Sequence, residues 1–222
     1  MKTIVYIDGF NFYYGLLKNS PHKWLDLVKL FEDHLLPIHS PEAELVKLKL
    51  FTAPILPKFA TNKEKAQNSQ DRYLNALNKV HPDKVEVIKG YYSATKQNAM
   101  KYISPPDKAE RVDIWKLEEK LTDVQMALHI YRDAVKENCE QIVLVTNDSD
   151  IEPAAQLVKE DTNIILGVVI PRKFDTARST STKLRDISDW ALIGVKDGQL
   201  ASSQFPRSIP TKKKPIIKPD YW

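Results

Sequence analysis

Two short runs of branched apolar residues, 3–7 and 142–146, each end abruptly in an acidic turn, and this feature restricts the fold most. A segment that is apolar on both sides belongs inside a sheet covered on both faces, and sheets of that kind are parallel. The first run leads into Asp8-Gly9, the second into Asn147-Asp148-Ser149-Asp150. Residues 45–53, 85–92, 163–170 and 190–195 also read as strands, and 111–115 as a short extended piece. Helical spacing separates them at 10–18, 24–36, 62–80 and 151–159, with Pro37 as the expected end of the second helix and a short helix around 184–185. A further helix starts at a capping box, Thr122-Asp123-Val124-Gln125, with Val124, Ala127, Leu128, Tyr131 and Val135 as its expected inward stripe. Residues 93–107 form a Ser/Pro-containing excursion with the character of a flap. Strands alternating with helices predict an α/β fold: a doubly wound, mainly parallel sheet with helices on both faces.

Hydrophobic residues make up 42% of the 222-residue chain, enough for a sizeable core. No apolar run approaches the roughly 18 residues of a membrane span. The start, Met1 to Asp8, meets an acid too soon for a signal peptide. The single cysteine, Cys139, supplies neither an internal disulfide nor a cysteine-rich zinc site. These features point to the cytoplasm and away from membranes. The net charge of +4 is unevenly spread. Arg207, Lys212, Lys213, Lys214 and Lys218 against Asp197 and Asp220 give residues 197–222 a charge of +3, leaving +1 for the rest. The expected organisation is one catalytic domain, 1–196, and a basic tail, 197–222, kept extended by prolines 206, 210, 215 and 219. Two accounts of the tail stand open: a solvated segment, or one anchored by Tyr221-Trp222 that sets lysines beside a substrate path.

Doubly wound sheets bind ligands beyond the carboxyl ends of their strands. Asp8 follows the first apolar run, Asp148 and Asp150 follow the second, and Asp123 opens the helix after 111–115. Four carboxylates at one sheet edge, without an obvious set of cations, would repel one another. A hard divalent cation with oxygen ligands resolves that repulsion. It also acidifies water and neutralises charge on a phosphate. Each acid has a plainer reading, since Asp8-Gly9 fits a turn and Asp123, Asp148 and Asp150 can cap helices. Their expected convergence is what favours a site. His129 lies among apolar neighbours without a second histidine at ligand spacing, and Cys139 lacks the setting of a nucleophile. Neither GxGxxG nor GxxxxGK[ST] occurs. Tyr6, Phe10, Phe12, Tyr13 and Tyr14 read mostly as core, with one or two placed to stack on a base near Asp8.

Three stretches carry a family likeness: Tyr6-Ile7-Asp8-Gly9-Phe10-Asn11, Glu119-Lys120-Leu121-Thr122-Asp123-Val124 and Val145-Thr146-Asn147-Asp148-Ser149-Asp150. In order and spacing they resemble the NYN domain family, relatives of the PIN and 5′-nuclease fold. The glycine often seen after "EK" in that family is Leu121 here, and the phenylalanine after the last aspartate is Ile151. The resemblance implies a PIN-like, Rossmannoid sheet with acids around Mg²⁺ or Mn²⁺, and ribonuclease activity on single-stranded or structured RNA. Carried over, it makes Asp8, Asp123, Asp148 and Asp150 the catalytic acids, with Asp8, Asp148 and Asp150 as metal ligands. Asn11 then holds Asp8, a water or the substrate phosphate, while Asn147 and Ser149 orient their loop. Glu119 and Lys120 also match, Lys120 as a further residue that binds substrate or supports the site, with an ion pair steadying the turn as the plainer role of both. The expected function is metal-dependent hydrolysis of RNA phosphodiester bonds. Its rivals are a catalytically weak RNA-binding or regulatory module and a metal-dependent phosphohydrolase of small phosphate esters. A homo-oligomer is compatible with each.

Overall fold

The computed structural model describes residues 1–174 and 182–222. In chain order its main strands are β1 (Lys2–Asp8), β2 (Glu44–Thr52), β3 (Val85–Lys89), β4 (Tyr91–Met100), β5 (Arg111–Lys120), β6 (Gln141–Val145), β7 (Ile165–Lys173) and β8 (Trp190–Val195). Six of them form one sheet in the order β3-β2-β1-β6-β7-β8, and every pairing in it is parallel. The apolar run of β1 lies at its centre, with Val5 and Ile7 packed on one side and Ile4 and Tyr6 on the other. This alternation is the strand's period of two, expressed toward two cores.

The first core is closed by α1 (Gly9–Phe12), α2 (Leu27–Leu30), α3 (Leu36–His39) and α4 (Lys63–Val80), the second by α5 (Thr122–Val135), α6 (Glu152–Asp161) and α7 (Thr182–Ile187). Helices on both faces of a parallel sheet make the fold doubly wound. No helix among the described residues is long and apolar enough to cross a membrane. A π-helical turn, Tyr13–Leu17, extends α1, and another, Phe31–Leu35, joins α2 to α3. Pro37 therefore does not end the helix, which runs on to His39. The proline occupies the first turn of α3, where its missing N–H is tolerated.

The excursion at 93–107 and the extended piece at 111–115 belong to one element outside the main sheet, and the expected stripe of α5 and the extended tail are corrected. Strands β4 and β5 pair antiparallel, Tyr91 against Lys120 through Met100 against Arg111, as a long exposed hairpin. The inward face of α5 consists of Thr122, Met126, Ile130, Asp133 and Ala134, whereas Val124 and Leu128 are exposed. The apolar stripe misled because a buried acid, Asp133, takes a position that a purely apolar pattern assigns to solvent. Residues 197–222 are folded onto the body rather than simply extended. Helix α8 (Asp197–Ser202) buries Leu200 in the first core, and β9 (Ser208–Ile209) pairs with β10 (Ile216–Ile217). Trp24 donates its indole N–H to the Pro206 carbonyl at 2.9 Å, and the rings of Tyr73 and Trp222 lie 5.8 Å apart.

Candidate metal centre

Adjacent strands β1 and β6 lead in opposite directions, the first into α1 and the second toward α6, so a crevice opens between their carboxyl ends. Such a switch point is where doubly wound sheets bind ligands. Asp8 is the last residue of β1 and caps α1. Its carboxylate accepts from the Asn11 N–H at 3.0 Å, the Asn11 amide at 2.6 Å and the Thr146 hydroxyl at 2.8 Å. Gly9 follows because a Cβ there would stand 2.5 Å from the Phe51 carbonyl oxygen of β2. Asp8 is only 7% exposed, and burial pushes its carboxyl above the usual range against the pull of those hydrogen bonds.

Asp148 enters from beyond β6. Its backbone N–H donates to the Thr146 hydroxyl at 3.0 Å, and its carboxylate accepts from the Asp150 N–H at 3.0 Å. Thr146 thus ties the two aspartates together. Asp123 comes from the first turn of α5, where the helix dipole favours a carboxylate. Asp8, Asp123 and Asp148 each offer an oxygen within 4.8 Å of the others. Partial burial, then the charges of Asp8, Asp148, Glu119 and Asp150, raise the Asp123 carboxyl from 3.8 to about 6.

The three mutually close acids thus include Asp123, while Asp150 stays exposed outside the trio and acts on it through its charge. Asn11 is placed directly on Asp8. Ser149 lies exposed at the start of the turn Ser149–Ile151, and half-buried Asn147 sits just before Asp148. Lys120 pairs with Glu118 at 3.3 Å, not with Glu119. Glu119 instead accepts from the Tyr92 hydroxyl at 3.2 Å and is raised by burial, with the Asp8 charge acting in the same direction. Sequence reasoning gave Glu119 no role in the site. The signal available was its place in the "EK-x-x-D-V" stretch, but its orientation depends on the hairpin. Gly90 sits where the hairpin leaves the body, and a Cβ there would stand 2.3 Å from the Lys120 carbonyl oxygen.

Residues 2–193 match the NYN domain. The chain belongs to the NYN domain family. This NYN protein is 40% identical to 6-hydroxy-3-succinoylpyridine 3-monooxygenase HspA of Pseudomonas putida over 244 residues, which cover 100% of the chain and 75% of that relative. A protein of unknown function from Vibrio parahaemolyticus has a crystal structure similar in fold, with a TM-score of 0.51 and 20% identity over 86% of this chain and 91% of that one. The NYN domain has a nuclease-like fold, and its acidic trio could hold a metal ion.

Proposed function

We propose that this NYN protein is a divalent-metal-dependent ribonuclease. The observation that carries the reading is the trio Asp8, Asp123 and Asp148, whose ligand oxygens lie within 4.8 Å of one another at the switch point. Three hard oxygen donors this close together suit Mg²⁺ or Mn²⁺. When bound, such an ion supplies countercharge for a phosphate and lowers the pKa of water. The chain's own residues fix the rest. Asn11 and Thr146 hold Asp8 in one orientation, and the Asp150 N–H holds Asp148. Asp150 stands at the solvent rim, where it can pass a proton to bulk water. Attack by water on phosphorus then leaves a 5′-phosphate and a 3′-hydroxyl.

The test is cleavage of end-labelled single-stranded RNA with Mg²⁺, Mn²⁺ or EDTA, beside Asp8→Asn and Asp148→Asn. Cutting that needs the metal and falls at least about 100-fold in both variants supports the reading. Absence of cutting by folded wild type rejects it. A second reading has one specific support, the 40% identity to the named monooxygenase. In that case the protein hydroxylates a hydroxypyridine, and oxygen uptake with 6-hydroxy-3-succinoylpyridine and a two-electron reductant replaces RNA cleavage. The trio speaks for hydrolysis, because non-haem iron oxygenases commonly use two histidines with one carboxylate.

A further inference from the structure

Three aromatic side chains stand in solvent just beyond Asp8: Phe10, Tyr13 and Tyr14, which are 45%, 37% and 46% exposed. The inward residues of the same segment are Phe12, Leu16 and Leu17, so the core leaves these rings outside. The rings of Phe10 and Tyr14 lie 4.4 Å apart, and Tyr13 meets Tyr14 edge-on at 5.3 Å. Lys18 places its ammonium 4.6 Å from the centre of the Tyr14 ring. Tyr13 and Tyr14 belong to the π-helical turn, a distortion frequent at functional sites.

A second aromatic group lies out along the hairpin. Residues paired across antiparallel strands share a face, so the face carrying Glu119 and Tyr92 continues through Leu117 and Ala94 to Trp115 and Lys96. Trp115 is 56% exposed, meets Phe59 edge-on at 5.6 Å and carries the Lys58 ammonium 4.1 Å from its ring centre. It stands roughly 13 Å along the strand from Glu119. Lys18 and Lys58 have no carboxylate partner among the described residues. The Tyr92 hydroxyl donates to Glu119 at 3.2 Å, and Tyr14 and Asp8 are near enough to raise it further, so the foot of the hairpin borders the first aromatic group and the acidic centre.

We propose that two aromatic stations, Phe10 with Tyr14 just beyond Asp8 and Trp115 with Phe59 farther out on the hairpin, hold unpaired bases of one strand, making the substrate a single-stranded nucleic acid. The proposal rests on the phosphodiesterase reading of the trio. Only an unpaired base offers its face for stacking, and a duplex hides it. A cation over each aromatic group supplies the charge that a phosphate backbone needs. A strand held at both stations follows the hairpin face that carries Trp115 and Glu119 toward Asp8.

The experiment is fluorescence anisotropy of a labelled single-stranded RNA of about 12 nucleotides, in EDTA, against a duplex of the same length. Tyr14→Ala and Trp115→Ala each weaken single-strand binding roughly 5- to 100-fold, as expected for one stacked base. Trp115→Phe retains most of the affinity, and Lys58→Ala flattens the salt dependence. Wild-type affinity in both alanine variants overturns the proposal, as does equal binding of the duplex. Binding of a hydroxypyridine with none of RNA also overturns it. No step of this assay needs cleavage. Wild type that holds single strands without cutting them upholds the stations and refutes the ribonuclease, while cutting with unchanged binding by the alanine variants does the reverse.

Discussion

Asp123 carries the unfavourable charges of four other acids at an exposed helix start. Its folded pKa lies above its ordinary value, so the folded state holds the proton more tightly than the unfolded chain does. Metal-free protein therefore loses stability as pH rises from 3.8 to about 6, and Asp8 acts in the same direction. After allowance for solvent screening, the Asp123 share is about 1 kcal/mol. Thermal melts across this range in EDTA should show the decline, Asp123→Asn should reduce it, and Mg²⁺ should restore the lost stability. Leu121, the residue before α5, has a φ of 76°, in the left-handed region. Glycine would adopt that backbone without strain, a preference invisible when the position is judged only for packing. Half-exposed Leu121 loses little contact on truncation, so Leu121→Gly should add roughly 0.5–1 kcal/mol to unfolding by urea. Asp8 and Asp148 are legible in sequence because each ends a buried strand. The part played by Glu119 is not, because it depends on a hairpin that leaves the sheet.

At the scale of elements, α5 is fixed to the sheet by a buried polar cluster. Asp133, 2% exposed, accepts from Tyr6 of β1 at 2.6 Å and Asn138 at 3.0 Å, and forms an ion pair with Lys49 of β2, itself 4% exposed. Burial alone would raise the Asp133 carboxyl, but the hydrogen bonds from Lys49, Tyr6 and Asn138 outweigh it and hold the pKa below its usual value. Lys49→Met leaves that acid buried without its cation and should cost about 3–5 kcal/mol in urea unfolding, whereas adding Asp133→Leu should recover much of the loss. The strands of the main sheet were readable because their apolar runs are short and bounded by turns. The faces of β2 and α5 were not, since a lysine and an aspartate that neutralise each other across the core look like surface residues when each is read alone. The hairpin was missed because its residues are polar, mixed and exposed on both faces, with no burial to impress a pattern.

Across the whole molecule, the last residues complete the first core. Phe205 and Ile209 are 6% and 4% exposed, and Phe205 packs its ring 5.9 Å from Trp24. Deleting residues 205–222 should therefore destabilise the protein by at least about 5 kcal/mol, roughly 10–20 °C in melting temperature. Changing Lys212, Lys213 and Lys214 to alanine should leave the melt unchanged, for all three are exposed. Proline content and charge marked this segment as a tail because its apolar contacts are scattered among polar residues. The parallel sheet gives Asp8 and Asp148 a different kind of support from Asp123. A slip of one residue in β1 would turn Asp8 and its whole apolar set to the opposite faces, so Asp8 keeps its place as long as the fold does. Asp123 stands in the first turn of α5, outside the sheet. Sequence drift at that turn can reset the centre without disturbing the architecture, so relatives of one shape can diverge in chemistry there first.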